Sequence, residues 1–151
     1  MCSQFLILTD LNSREEFMMD TSKYNANEAF LAGLKVREEV LGSEYVGKSV
    51  ENGAKDEFTR TLQQFVTETA WGTVWLREGL DRKTRSMLNL AMLAAMGREG
   101  ELRLHTRGAI NNGCSKEEIA EVFLQAAVYA GAPSAVTAFK VAKEVFDDMG
   151  I

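Results

Sequence analysis

The stretch Arg98-Glu-Gly-Glu-Leu-Arg-Leu-His105 gathers two acids, an imidazole and two guanidinium groups within two helical turns, and it holds the only histidine of the 151-residue chain. Glu101 lies four positions before His105, so on a helix the two side chains project from one face about one turn apart. A carboxylate beside an imidazole can set its tautomer and raise its pKa, which is how a general acid or base is prepared. Arg98 falls on the same face, three positions before Glu101, and brings anion-binding capacity. The plain structural alternative is a surface pair between residues four apart, contributing about 0.2–0.5 kcal/mol to the helix.

The charge around this stretch favours chemistry on an anion. From Arg77 to Arg107 there are seven basic residues (Arg77, Arg82, Lys83, Arg85, Arg98, Arg103, Arg107) against four acidic ones (Glu78, Asp81, Glu99, Glu101), in a chain of net charge −5. A locally positive segment in an acidic protein suits a small anionic ligand, although solvated helix faces account for Lys83 and Arg103. With no lysine-arginine block and no aromatic-basic interleaving, a nucleic-acid partner is excluded. Cys2 and Cys114 stand far apart, so neither a CxxC redox pair nor a cysteine zinc site can form, and one histidine cannot make a histidine-rich metal site. Cys114, next to Gly113 at a helix junction, reads as a small packed residue.

Hydrophobic residues make up 46% and charged residues 26% of the chain, the balance of one globular domain. No apolar run approaches the ~18 residues of a membrane helix. Phe5-Leu-Ile-Leu8 is too short for a signal-peptide core and lacks a basic leader, so a cytoplasmic location is expected. It is also the only short β-like run, and it has no partner. The rest predicts helices. Residues 25–41 carry Phe30, Leu31, Leu34 and Val40 and stop at Gly42. Asp56 caps a helix through Phe58, Leu62, Phe65 and Val66. Asp81 precedes residues 83–96, apolar around much of their girth, and a central, largely buried helix is expected there, with Met87, Met92 and Met96 as core filler. The next helix starts near Glu99 and ends at Asn112-Gly113. Ser115-Lys-Glu-Glu118 fits a capping box. Gly131-Ala-Pro133 separates the last two helices, the final one ending at Gly150. Residues 1–24 do not fit the helical pattern and are expected to be a loose arm, with Met18-Met19 as an alternative start, ahead of a helical domain over 25–151. Small residues (Ala126, Ala127, Ala130, Gly131, Ala132, Ala135, Ala138) crowd one junction and permit close helix approach, within the chain or between subunits.

Leu80-Asp-Arg-Lys-Thr-Arg-Ser-Met-Leu-Asn-Leu-Ala-Met-Leu93 resembles the central helix of the carboxymuconolactone decarboxylase family. Arg98 to His105, followed by Asn111-Asn-Gly-Cys-Ser-Lys-Glu-Glu-Ile119, resembles that family's next two helices. Ala70-Trp-Gly-Thr-Val-Trp75 and Glu121-Val-Phe-Leu-Gln-Ala-Ala-Val-Tyr-Ala-Gly131 are similar to further segments of its decarboxylase branch, so the resemblance runs from about residue 27 to 149. The broader family includes AhpD-like alkylhydroperoxidases with a CxxC pair one turn before the matching histidine. Here those positions read Arg98 and Glu101, so disulfide-based peroxide reduction cannot run through them.

The resemblance implies an all-α, compact orthogonal bundle of about six to seven helices with the AhpD-like fold. It implies cofactor-free decarboxylation of 4-carboxymuconolactone to the enol-lactone of β-ketoadipate in protocatechuate breakdown, with no metal, and a homohexamer built as a trimer of dimers. The implied substrate is its own electron sink, because the pair left by carbon dioxide delocalises through the ring double bond onto the lactone carbonyl oxygen. Three tasks remain for the protein. Arg85 is the expected carboxylate clamp. His105 is the expected oxyanion donor or proton donor. Glu101 would orient and charge His105, or repel the departing carboxylate. Arg98 is a second anion contact or a helix-end charge. Trp71 and Trp75 wall the pocket or simply pack, and Arg77 reaches substrate or sits in a loop. The alternatives are a related decarboxylase or lactone-processing enzyme acting on another small carboxylic acid, and a non-catalytic helical oligomer that binds a small acid.

Overall fold

Capping residues set the boundaries of most helices. In the computed structural model, residues 19–151 are described, and among them there are seven α-helices, one π-helix and no strand. Cys2, the β-like run at residues 5–8, Met18 and most of the expected arm lie outside the described residues. The expected arm's last residue, Tyr24, is buried, and its hydroxyl donates to the Val50 carbonyl at 2.7 Å. The span expected as one helical domain comprises two units, one ending at Arg77 and the next beginning at Glu78.

The first unit contains α1 (Glu28–Leu41), α2 (Ser43–Lys55), α3 (Glu57–Phe65) and a π-helix (Val66–Val74). Asn27 caps α1 by accepting from the Phe30 amide at 2.9 Å, and Asp56 caps α3 by accepting from Thr59. Helix α2 has no counterpart among the sequence expectations. Its two glycines lower helix propensity, yet packing requires one of them, since a Cβ on Gly53 would sit 2.1 Å from the Tyr24 hydroxyl. The expected α-helical turn through Val66 is instead the start of the π-helix, whose wider hydrogen bonding is seen where the Trp75 amide reaches back five residues to the Ala70 carbonyl at 2.9 Å. This segment lies backbone to backbone against α1. A Cβ on Gly33 would come within 2.2 Å of the Thr67 carbonyl, and one on Gly72 within 2.0 Å of the Ala29 carbonyl. Buried Arg37 donates from Nη1 to Gln63 at 2.9 Å and to Thr67 at 3.2 Å, tying α1 to the π-helix, and burial lowers its pKa.

The second unit contains α4 (Arg82–Ala95), α5 (Glu99–Asn111), α6 (Lys116–Ala130) and α7 (Ala132–Met149) around a core that includes Leu90, Leu102, Ile119, Phe123 and Val141. Asp81 caps α4 through the Thr84 amide, and Ser115 and Glu118 form the complete capping box of α6. Gly113, at φ 86°, takes the left-handed turn that ends α5. Pro133 stands in the first turn of α7, and Gly150 ends it. Helix α4 differs from the expectation of a largely buried helix with methionine core filler. Only Ser86, Leu90 and Ala94 are buried, while Leu88, Met92 and Met96 form an exposed stripe. A helix places residues four apart on one line, so α4 commits the 86/90/94 line to the core and leaves the opposite apolar line outside. Met87 alone of the three methionines packs against the core.

Candidate active site

Helices α4 and α5 form a hairpin that turns at Gly97, whose φ of 65° is available at little cost only without a side chain. Residues equally far from that turn face each other. Asn89 and His105, eight positions on either side, do so with Asn89 Nδ2 at 3.4 Å from His105 Nδ1. The far end of the hairpin is fixed by Asn112, which donates to Ser86 Oγ at 2.9 Å. Arg85 lies one helical turn from Asn89 along α4, about 5–6 Å, so its guanidinium belongs to the same face as the imidazole partner. Arg85, Asn89 and His105 are all half-buried, within reach of solvent but shielded on the protein side.

Glu101 and Arg98 stand nearer the turn. Arg98 is the N-cap residue of α5, with no side-chain cap bond, and it is exposed. Glu101 occupies the third position of the helix, is exposed, and no hydrogen bond or ion pair joins its carboxylate to another described residue. Its negative charge there complements the positive end of the α5 dipole. The ring nitrogen contact that spacing assigned to Glu101 is thus occupied, at Nδ1, by Asn89. Sequence reasoning did not single out Asn89, because a neutral amide in an apolar helix gives no charge signal. The available signal was positional: four residues from Arg85 and symmetric with His105 about Gly97.

The other candidates belong to the first unit. Trp71 and Trp75 stack with ring centroids 4.7 Å apart and planes 22° from parallel, and they are 4% and 8% exposed. Arg77 follows the π-helix and is exposed. Within the second unit, a pocket of about 500 Å³ opens between α6 and α7, lined by apolar Ile119, Phe123, Phe139 and Phe146, and none of the candidate residues lines it. Among the described residues no cluster of three or more histidine, cysteine or acidic side chains could hold a metal ion, and no helix is long and apolar enough to cross a membrane. Burial pushes the Cys114 thiol pKa up, and its Sγ lies 3.8 Å from the Lys83 carbonyl, the setting of an unreactive packed thiol.

Arg85, one turn along α4 from the residue that contacts the half-buried imidazole, can hold a carboxylate, and His105 can offer a hydrogen bond to a developing oxyanion. Comparison with known proteins points to the same chemistry. The model of the carboxymuconolactone decarboxylase family matches residues 60–144. The 4-carboxymuconolactone decarboxylase of Acinetobacter baylyi is 46% identical over 127 residues, covering 84% of this chain and 93% of its own. The nitrosuccinic acid decarboxylase of Metarhizium robertsii is 52% identical over 120 residues, covering 80% of this chain and 82% of its own.

Proposed function

From the premise that this chain belongs to the carboxymuconolactone decarboxylase family, we propose that it is a cofactor-free carboxy-lyase that converts 4-carboxymuconolactone to the β-ketoadipate enol-lactone in protocatechuate catabolism. The observation that carries this reading is the α4–α5 hairpin, with Arg85 one turn from the residue that contacts the His105 ring, in a chain so similar to a relative of that name.

The chemistry asks little of the protein beyond placement. When the bond to carbon dioxide breaks, its electron pair enters the ring double bond and settles on the lactone carbonyl oxygen, so no external electron sink is required. Arg85 holds a carboxylate through paired N–H donors, which fixes the ring against the hairpin. His105 stabilises the oxygen on which charge develops, a contribution of roughly 3–4 kcal/mol for one well-aimed donor. A proton then adds to the ring carbon next to the carbonyl, and the double bond left at the carbon that lost carbon dioxide makes the product the enol-lactone. Arg98, Trp71, Trp75 and Arg77 stand in this reading as substrate-binding residues, and Glu101, one turn before His105, would act on the ring through its charge and not through a hydrogen bond.

A second reading has its own support in the 52% identical nitrosuccinic acid decarboxylase. Nitrosuccinate is also a dicarboxylate, and loss of the carboxylate on its nitro-bearing carbon leaves charge on nitro oxygens. The same clamp and the same oxyanion donor serve both acids, so substrate choice rests on pocket shape rather than on a different mechanism.

We further infer a cytoplasmic homo-oligomer, a hexamer built as a trimer of dimers. Supporting it, α3 buries none of its residues and leaves Phe58 91% exposed, with Leu62 and Phe65 beside it, while Val128, Tyr129 and Val136 are exposed on α6 and α7. Patches of large apolar side chains are the usual mark of a protein interface.

Carbon dioxide release from freshly generated 4-carboxymuconolactone and from nitrosuccinate, measured side by side, tests the assignment. The lactone is expected to turn over with the higher kcat/KM. Turnover of nitrosuccinate alone would establish the second reading, and turnover of neither would overturn both.

A further inference from the structure

We propose that the pocket between α6 and α7 is a binding site for a small apolar monocarboxylate, an aromatic ring or short chain carrying one acid group, with its body between the two helices and its carboxylate among the lysines at the rim. The inference goes beyond the decarboxylase reading and does not rest on it.

The pocket follows from the register of the two helices, which turn back on each other at Gly131. At one end Lys116 lies over the Phe146 ring, 5.7 Å from its centroid. At the other end Phe123 meets Phe139 edge to face, with centroids 5.6 Å apart. Seven residues up α6 thus match seven residues down α7, a length of about 10 Å. Between these bulky pairs the facing residues are Ala120 and Ala142, whose side chains are single methyl groups, and all six line the pocket. Large pairs at both ends with a small pair between them leave a cavity of about 500 Å³. That is the volume and the largely aromatic lining of a small-molecule site. A helix laid along the groove would meet the bulky side chains at its ends, whereas one short, flat molecule fits between them and meets rings at both.

Charge selects the head group. The lining includes Lys116, Lys140 and Lys143 against one acid, Glu144. Arg103 of α5 pairs with that acid and offsets its repulsion of an incoming anion. Lys143 is itself paired with Asp147 at 2.8 Å. Lys116, beside Phe146, and Lys140, next to Phe139, are exposed and bracket the slot, so they are the cations assigned to the ligand's carboxylate. A second acid group on the ligand would lie against Ile119, Phe123 and the alanines and lose its hydration without a partner. The site therefore takes one acid group on an apolar body, and not the dicarboxylates proposed for the α4–α5 hairpin.

2-Naphthoate, two fused rings with one carboxylate, is a probe of this shape, and 2-acetylnaphthalene is its uncharged counterpart. With carbon-13 in the alanine methyl groups of the full chain, 2-naphthoate is expected to shift the Ala120 and Ala142 resonances saturably, with a Kd below about 1 mM for a ligand of this size. The ketone should bind roughly 3–10-fold more weakly, the scale of two solvent-exposed charge contacts. Lys116→Met together with Lys140→Met should bring the two ligands to equal affinity. Ala120→Leu, which fills the slot at a half-buried position, should abolish binding of both. If that variant fails to fold, the lysine variant, changed only at exposed positions, decides the matter. No saturable shift by about 2 mM, shifts confined to other alanines, unchanged affinity in folded Ala120→Leu, or a ketone bound as tightly as the acid would each overturn the proposal. Failure of 2-naphthoate to bind, with a lower light-scattering mass for Ala120→Leu, would assign the groove to contact between copies of the chain and overturn it too. These arms use no substrate, so a chain that decarboxylates neither proposed acid loses the functional reading while the pocket assignment stands or falls on its own.

Discussion

In the proposed mechanism Arg85 and His105 would divide the work by charge and by geometry. A guanidinium offers two parallel N–H donors that match a carboxylate, and a lysine offers a single mobile charge. Replacing Arg85 by Ala should therefore raise KM by roughly 10–100-fold, the scale of a lost charge-assisted hydrogen bond. Arg85→Lys should recover only part of it. Steady-state kinetics on folded variants checks this, and an unchanged KM for Arg85→Ala would remove the clamp from the account. The candidate residues of the hairpin were legible in sequence because a lone histidine, a nearby acid and arginines in an acidic chain are visible by type and spacing. Asn89 was not, because its contact depends on how two helices pair across Gly97, and amide side chains carry no pattern.

At the level of elements, capping chemistry was the readable part and helix faces were not. Asp56, Asp81, Ser115 and the glycines at 42, 113, 131 and 150 mark the observed boundaries, since each satisfies a local backbone demand. Which apolar line of α4 enters the core, the existence of α2, and the π-helix all depend on partners distant in sequence. The Gly33–Gly72 contact is one such dependence. Gly72→Ala would drive a Cβ against the Ala29 carbonyl, so it should destabilise the first unit by about 3 kcal/mol. Both tryptophans of the chain lie in or beside that π-helix and stack there, so their fluorescence in denaturant titrations reports the loss. A midpoint equal to that of the wild type would contradict the close approach. The capping box makes a pH prediction. Glu118 pairs with Lys83 at 2.7 Å and accepts from the Ser115 amide at 2.8 Å, which hold its carboxyl below the ordinary value of 4.5. A lowered folded pKa gives stability that is present above the unfolded value and is lost as pH falls through the folded one. Glu118→Gln should thus lower Tm at neutral pH, and the gap should close as acid titrates the wild-type carboxyl below 4.5. A gap that persists in strong acid would contradict the assignment.

For the molecule as a whole, exposed apolar side chains are the feature a lone chain leaves unexplained. Phe58, Leu62 and Phe65 line one face of α3, and Leu88, Met92 and Met96 line one face of α4. A chain that buries these against copies of itself would show light-scattering mass well above that of the 16.8 kDa protomer at micromolar concentration, six-fold for the proposed hexamer. A strict monomer would contradict the assembly. All-α architecture and family were legible before the fold was seen, since helical periodicity and capping signals run through most of the chain. The proposed assembly comes from the family resemblance and from an excess of apolar surface, because a single sequence does not say which copy covers which face.

The central claim is that decarboxylation runs on one hydrogen-bond donor supplied by His105. Its most direct test is single-turnover carbon dioxide release from 4-carboxymuconolactone by wild type and by a folded His105→Ala variant. The account predicts a loss of roughly 10²–10⁴-fold in the rate of the chemical step, with the circular dichroism of the helices retained. Near-normal release by the folded variant would contradict it.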